Sequence, residues 1–319
     1  MKTVMDEEQL DVFLQSMENV IIGREKEFKL LLVALLTEGH VLFEDLPGTG
    51  KTTMVKAFSK GLDCLFSRVQ CTPDLLPSDI VGGSIMNPQT NELQLKKGPI
   101  FTNVLLVDEI NRALPRTQSS LLESMEEQQA TIEGETLSLS SPFIVLATQN
   151  PVDMEGTFPL PEAQMDRFLM RIQLGYPSIE EESQMLEQVG DHIPYEEISS
   201  IFNPDRLKDM QKKCQEVHVH SDMLKYITTL AHQTRNHSLI SIGVSPRASK
   251  ALYKTIKSWA FMNGRDYVIP DDIKEMLLPV WNHRLTLKPE AHMNDTSAEQ
   301  ILTDIMNEVD LPEEQVIRS

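Results

Sequence analysis

The stretch Leu42-Phe43-Glu44-Asp45-Leu46-Pro47-Gly48-Thr49-Gly50-Lys51-Thr52-Thr53 constrains this chain more than any other. A short apolar run, Val41-Leu42-Phe43, leads into two glycines, and a helix-compatible segment follows to Lys60. Strand, glycine loop and helix in that order build an anion site. Glycines let backbone N–H groups converge on phosphate oxygens, and the helix N-terminus adds the positive end of its dipole. Lys51 stands where an ammonium reaches β- and γ-phosphates, and the Thr52 hydroxyl stands where it can ligate Mg²⁺. Pro47, Gly48, Thr49, Gly50 and Thr53 complete the candidate phosphate loop. The strict G-x-x-x-x-G-K-[ST] pattern asks for glycine where this chain has Asp45. A tight turn that merely caps a helix is the alternative, and the flanking strand and helix weigh against it.

The surrounding pattern predicts an α/β core. Apolar residues recur at helical spacing over residues 6–19 and 24–37, and strand-like runs fall at 65–70, 104–107, 142–148 and 168–174. Val104-Leu105-Leu106-Val107 and Phe143-Ile144-Val145-Leu146 are continuous, as in strands buried on both faces of a parallel sheet. Strands alternating with helices make a wound α/β fold. Turn chemistry predicts two extra hairpins, at 84–96 around Asn87-Pro88-Gln89-Thr90-Asn91 and at 130–139 around Gly134-Glu135. After Gly175-Tyr176-Pro177 no convincing buried strand follows. Helices are expected at 178–189, 204–215, 221–236, 246–262, 270–281 and 297–307, with Ser245-Pro246 as an N-cap and first-turn proline. The expected division is residues 1–176 as an α/β nucleotide-binding domain and 177–319 as a smaller all-α lid with an acidic tail.

Three more segments could carry chemistry beside the phosphate loop. The apolar strand 104–107 ends in Asp108-Glu109. Asp108 at a strand C-terminus can hold Mg²⁺, and Glu109 can act as general base toward water. Open α/β sheets bind ligands at that edge, which favours this reading over two solvated acids. The strand-like run 142–148 is followed by Gln149-Asn150-Pro151, where the Asn150 amide could reach a γ-phosphate or water, or where Asn150-Pro151 simply makes a turn. Arg247 sits in the first turn of a helix, a disfavoured place for a cation unless something anionic compensates. Within the segment Leu160–Phe168, the residues alone read as a surface ion pair between Asp166 and Arg167 or Glu162.

Composition sets limits. Lys plus Arg is 29 and Asp plus Glu is 48, for a formal net charge of −19. That opposes a nucleic-acid coat or a binder of anionic membranes, both of which need basic surface. Three cysteines, Cys64, Cys71 and Cys214, make neither a disulfide framework nor a zinc pattern. The longest apolar stretch, residues 30–36, is far short of a membrane span. The N-terminus turns acidic at once and lacks the apolar core of a signal peptide. A soluble cytoplasmic protein is expected.

Taken together, these motifs resemble the MoxR family of AAA+ ATPases. The resemblance rests on Glu44-Asp45-Leu46-Pro47-Gly48-Thr49-Gly50-Lys51-Thr52, Lys97-Gly98-Pro99-Ile100, Asp108-Glu109-Ile110-Asn111-Arg112-Ala113, Leu121-Leu122-Glu123-Ser124-Met125-Glu126-Glu127, Ala147-Thr148-Gln149-Asn150-Pro151, the run from Glu155 to Gln164, and Ser245-Pro246-Arg247-Ala248. It spans residues 22–285, and Asp45 suits the family's wording. It implies ATP and Mg²⁺ as cofactors, sensor roles for Asn150 and Arg247, and an adenine pocket lined by Ile22-Gly23. It implies Arg167 as an arginine finger acting on a neighbouring subunit, with Arg112 and Arg116 as alternatives. The hairpins at 84–96 and 130–139 resemble inserts associated with remodelling partners. A homo-oligomeric ring of six and a client protein complex, such as one containing a von Willebrand factor A domain, are the implied partners, served by chaperone-like maturation. A nucleotide-gated switch with incidental hydrolysis is the first alternative. A nucleic-acid motor is disfavoured by charge, and a small-molecule kinase by Glu109 and Asn150.

Overall fold

The computed structural model describes residues 7–45, 48–86, 92–150, 156–187 and 194–311. In chain order the elements are α1 (Glu7–Glu18), α2 (Glu25–Leu36), β1 (Val41–Glu44), α3 (Lys51–Gly61), β2 (Phe66–Gln70), α4 (Pro77–Val81), β3 (Gly82–Met86), β4 (Leu93–Lys97), β5 (Val104–Asp108), α5 (Pro115–Glu127), β6 (Gln129–Ile132), β7 (Glu135–Ser138), β8 (Ile144–Gln149), α6 (Glu162–Met165) and β9 (Met170–Ile172). There follow α7 (Ile179–Glu187), α8 (Pro204–Glu216), α9 (Ser221–Asn236), β10 (Ile240–Ile242), α10 (Pro246–Met262), α11 (Pro270–Trp281), β11 (Thr286–Leu287), α12 (Pro289–Met293) and α13 (Ala298–Glu308).

Five strands form one sheet in the order β2-β5-β8-β1-β9. The pairs β2–β5, β5–β8 and β8–β1 are parallel. The centre goes to the strands that are apolar along most of their length, with the polar residues Asp108 and Thr148 only at their C-terminal ends. All five residues of β5 are buried, as are the first five of β8. Strand β2, at the edge, buries only Val69 and leaves Arg68 and Gln70 exposed. Residues two apart share a strand face, so those two side chains lie together next to the end of β5. Helix α2 is apolar almost all round, and Leu30 to Leu36 are buried without a break. His40 is fully enclosed. Its Nδ1 accepts the Val145 N–H at 3.0 Å, its Nε2 bonds the Met125 carbonyl at 3.1 Å, and burial pushes its pKa down to about 4. It is therefore a neutral splice between β8 and α5.

Both expected hairpins form. Strands β3 and β4 pair antiparallel from Gly82↔Lys97 to Met86↔Leu93, and the turn residues 87–91 lie outside the described ones. A Cβ on Gly82 would come within 2.2 Å of the Lys96 carbonyl oxygen, so the hairpin stem admits only glycine there. In the second hairpin the turn is one residue earlier than expected. Glu133 (φ 49°) and Gly134 (φ 88°) make it, and Glu135 already pairs with Ile132. Two consecutive positive φ values match the twist of the flanking strands, which overrides the apparent Gly134-Glu135 signal.

The chain divides into two compact units, residues 11–168 with 172–208, and residues 1–10 with 169–171 and 209–319. In the second, Ser245 caps α10 by accepting the Ala248 N–H at 3.1 Å, as Ser245-Pro246 implies. Two features there have no counterpart in the sequence pattern. Strands β10 and β11 pair antiparallel, with only Ile240 buried, and α12 is a single short helix. Neither has enough apolar periodicity to read from sequence. Asp272, 1 % exposed, receives Arg265 Nη1 at 2.8 Å and Nη2 at 2.5 Å and caps α11 through the Ile269 N–H at 2.8 Å. Asp272→Ala should strand Arg265 and the cap, and lower stability by about 3 kcal/mol. Urea unfolding should show the midpoint fall with activity per folded molecule preserved.

Among the described residues, no helix is long and apolar enough to cross a membrane. All three cysteines are free, and burial pushes each thiol up to about 12, so none is a ready nucleophile.

Candidate nucleotide site

The C-terminal ends of β1, β5 and β8 open onto one pocket, the crevice where open parallel sheets bind ligands. It is lined by Asp45, Gly48 to Thr53, Arg68, Gln70, Asp108, Glu109, Thr148, Gln149 and Asn150. The loop from β1 turns through Gly48 (φ +85°) and Gly50 (φ +82°), left-handed conformations that cost other residues more. Gly50 caps α3, whose first turn carries no acid, so its amide end is left for an anion. Lys51 Nζ lies 2.9 Å from Thr49 Oγ1. Burial lowers the Lys51 pKa, and the nearby Asp45 and Asp108 charges act against that.

Asp45, the departure from the glycine pattern, has a visible purpose. One carboxylate oxygen accepts the backbone N–H groups of Leu174 at 2.8 Å and Gly175 at 3.2 Å. It thus ties the phosphate-loop entry to the segment after β9, which a glycine could not do.

The two acids after β5 are held differently. Asp108 is 7 % exposed, with Arg68 Nε 2.6 Å from Oδ2 and Thr148 Oγ1 3.5 Å from Oδ1. Glu109 adopts φ 56°, and its N–H donates to Thr148 Oγ1 at 2.8 Å. Its Oε2 receives Gln70 Nε2 at 3.0 Å and Arg112 Nε at 3.2 Å. At the end of β8, Asn150 lines the pocket, and its carbonyl receives Asn111 Nδ2 at 3.5 Å. Gln149 Oε1 is buried there without a partner, an acceptor facing an incomplete environment.

The structure therefore brings Gly48, Thr49, Gly50, Lys51, Thr52, Thr53, Asp108, Glu109 and Asn150 together. Pro47 lies outside the described residues. Gly23 turns at φ +74° with its N–H on Glu18 Oε1 at 2.7 Å, and neither it nor Ile22 lines the pocket. Ile21 approaches the loop, with its Cδ1 3.6 Å from where a Gly50 Cβ would stand. Arg167 does not line the pocket and pairs through Nε with Glu126 of α5 at 3.4 Å, not with Glu162 or Asp166. Arg247 is in the first turn of α10, in the other unit. Sequence reasoning missed Arg68, Gln70, Thr148 and Gln149. Polar residues two apart on a short strand were a usable signal for the first pair, but only the strand order put them beside Asp108.

The residues present fit a magnesium–triphosphate. Glycines at positive φ leave room for the backbone to cradle phosphate, and a hydroxyl (Thr52) with a carboxylate (Asp108) is the hard-oxygen donor set Mg²⁺ prefers. Sheet, loop and acids define a P-loop protein of the AAA+ ATPase class. The family model for ATPases associated with various cellular activities matches residues 40–170, and that for the AAA lid domain matches 232–305. Chaperone MoxR1 of Mycobacterium tuberculosis is 39% identical, over 93% of this chain and 80% of its own length. This chain belongs to the MoxR family of AAA+ ATPases. The protein YeaC of Bacillus subtilis is 45% identical over 94% of this chain and 93% of its own. A crystal structure of a protein described as an ATPase from Cytophaga hutchinsonii superposes with a TM-score of 0.90 at 38% identity, covering 96% of each chain.

Proposed function

We propose that the protein hydrolyses ATP in the pocket at the ends of β1, β5 and β8 and uses the cycle to remodel or mature a client protein complex. The observation that carries this is the meeting of Lys51, Asp108, Glu109 and Asn150 in one crevice from three separate strand ends. Lys51 and the amide end of α3 hold the β- and γ-phosphates. Thr52 and Asp108 are the residues that would hold Mg²⁺, and the ion when bound would supply positive charge beside the phosphates. Glu109 Oε2 takes the proton of the attacking water, and the Asn150 amide orients that water against the γ-phosphate. The buried Gln149 Oε1 supplies one more acceptor in the same crevice.

The remaining roles belong to the same proposal. Arg167 serves the pocket of a neighbouring subunit in a six-membered ring, supported by its lying off its own chain's pocket. Ile22-Gly23 borders the adenine, supported by the approach of Ile21 to Gly50. Arg247 reports nucleotide to a helical lid at 177–319, with residues 1–176 as the nucleotide-binding domain, supported by the lid match at 232–305. The client is a protein complex, consistent with the name Chaperone MoxR1 carried by a relative. Lys51→Ala should weaken ATP binding roughly 10- to 100-fold, the worth of charge-assisted bonds to phosphate. Titration calorimetry measures it, and wild-type affinity in that variant would overturn the assignment of the pocket.

A further inference from the structure

Asp108 presents two carboxylate oxygens, and both have partners. Oδ1 faces the Thr148 hydroxyl at 3.5 Å, and Thr148 is only 4 % exposed. Oδ2 carries the Arg68 guanidinium at 2.6 Å, a short charge-assisted contact. The two partners differ in what they can do. Thr148 is locked in β8, its hydroxyl also accepting the Glu109 N–H at 2.8 Å. Arg68 stands on the edge strand β2 with its side chain 49 % exposed, and its Nη2 makes a longer bond to Gln70 Oε1 at 3.3 Å. A long, half-solvated side chain on a sheet edge can swing into water at small cost, and a buried threonine cannot.

We infer that Arg68 is a displaceable stand-in for the metal: it neutralises Asp108 Oδ2 while the divalent cation is absent, and the cation must eject it to bind. The inference rests on the reading of the pocket as a magnesium–nucleotide site. The physical reason for such a device is the burial of Asp108. Desolvating a carboxylate whose side chain is 10 % exposed is costly without a counter-charge, which favours a cation beside it in every state of the cycle. Lys51 is also near, but it has a separate task at the phosphates. Arg68 therefore sets the threshold for metal entry: the protein resists divalent cation that arrives without nucleotide, and yields when phosphate oxygens add their share of ligands.

The test measures metal affinity directly, by electron paramagnetic resonance of Mn²⁺ titrated into protein saturated with a non-hydrolysable ATP analogue. Arg68→Gln removes the competing charge and should bind Mn²⁺ roughly three- to fivefold more tightly, the upper end of what losing a half-exposed ion pair releases. Arg68→Lys keeps the charge and should stay within about twofold of wild type. Thermal unfolding of each variant reports on folding: without metal, Arg68→Gln leaves Asp108 only the more distant Lys51 charge and should unfold at a lower temperature, Arg68→Lys should keep the wild-type midpoint, and Mn²⁺ is titrated well below either midpoint. Unchanged or weaker Mn²⁺ binding in Arg68→Gln overturns the inference, as does equal tightening in Arg68→Lys. Binding of the analogue itself, followed without metal in EDTA, separates the two levels. Wild-type protein that binds neither analogue nor analogue-dependent Mn²⁺ overturns the proposed function and this inference with it.

Discussion

Arg167→Ala should keep ATP affinity and lose turnover about 10³- to 10⁵-fold, the worth of an arginine that meets charge developing on the γ-phosphate. Within its own chain Arg167 touches Glu126 at 3.4 Å, and the side chains are 31 % and 39 % exposed. A pair that open contributes at most about 1 kcal/mol to stability, so the variant should fold normally. In the proposed head-to-tail ring, a loss of rate in this variant would arise at the pocket of the next subunit. Phosphate-release assays on the assembled protein measure the loss. Mixing Arg167→Ala with Glu109→Gln chains is the sharper test. Intact pockets of the first would then meet intact arginines of the second, and activity should return in part. A mixture as dead as its components rules out action in trans, and Arg112 or Arg116 would be the residue to try next.

The second large effect is at Glu109. Glu109→Gln is isosteric and preserves the left-handed backbone at φ 56° and the N–H bond to Thr148. It leaves Lys51, Thr52 and Asp108 untouched, so ATP should bind as in wild type. An amide cannot take a proton from water, and turnover should fall about 10²- to 10⁴-fold. Calorimetry and phosphate release together separate the two quantities. Hydrolysis at the wild-type rate would remove Glu109 from the mechanism. A variant that holds ATP without cleaving it should also hold its client, so affinity capture with Glu109→Gln plus ATP is the route to the partner.

Much of the site is legible in the amino-acid sequence because its chemistry is local. Gly48 and Gly50 turn at positive φ within three residues, Lys51 and Thr52 follow directly, and Asp108 and Glu109 close an all-apolar strand. The helices are legible for the same reason: Ser245-Pro246 predicts the start of α10 from neighbouring residues alone. Where the local pattern misleads, the deciding force lies elsewhere in the chain. The turn Glu133-Gly134 is set by strand twist and pairing register. The small strands β10 and β11 exist because their backbones meet across the fold, with little apolar signal in either.

Sequence by itself marked the residues proposed to bind and cleave a triphosphate, since a glycine's backbone freedom, a lysine's charge and a buried strand's end are properties of a few adjacent positions. Only the tertiary structure decided who stands beside them. Arg68 reaches Asp108 from 40 residues away, and Asp45 holds Leu174 from 129 away. Such partnerships follow from strand order, which places the edge strand β2 against β5 and the end of β1 near the exit of β9. Strand order is settled by how the whole core packs, and no short stretch of residues encodes it.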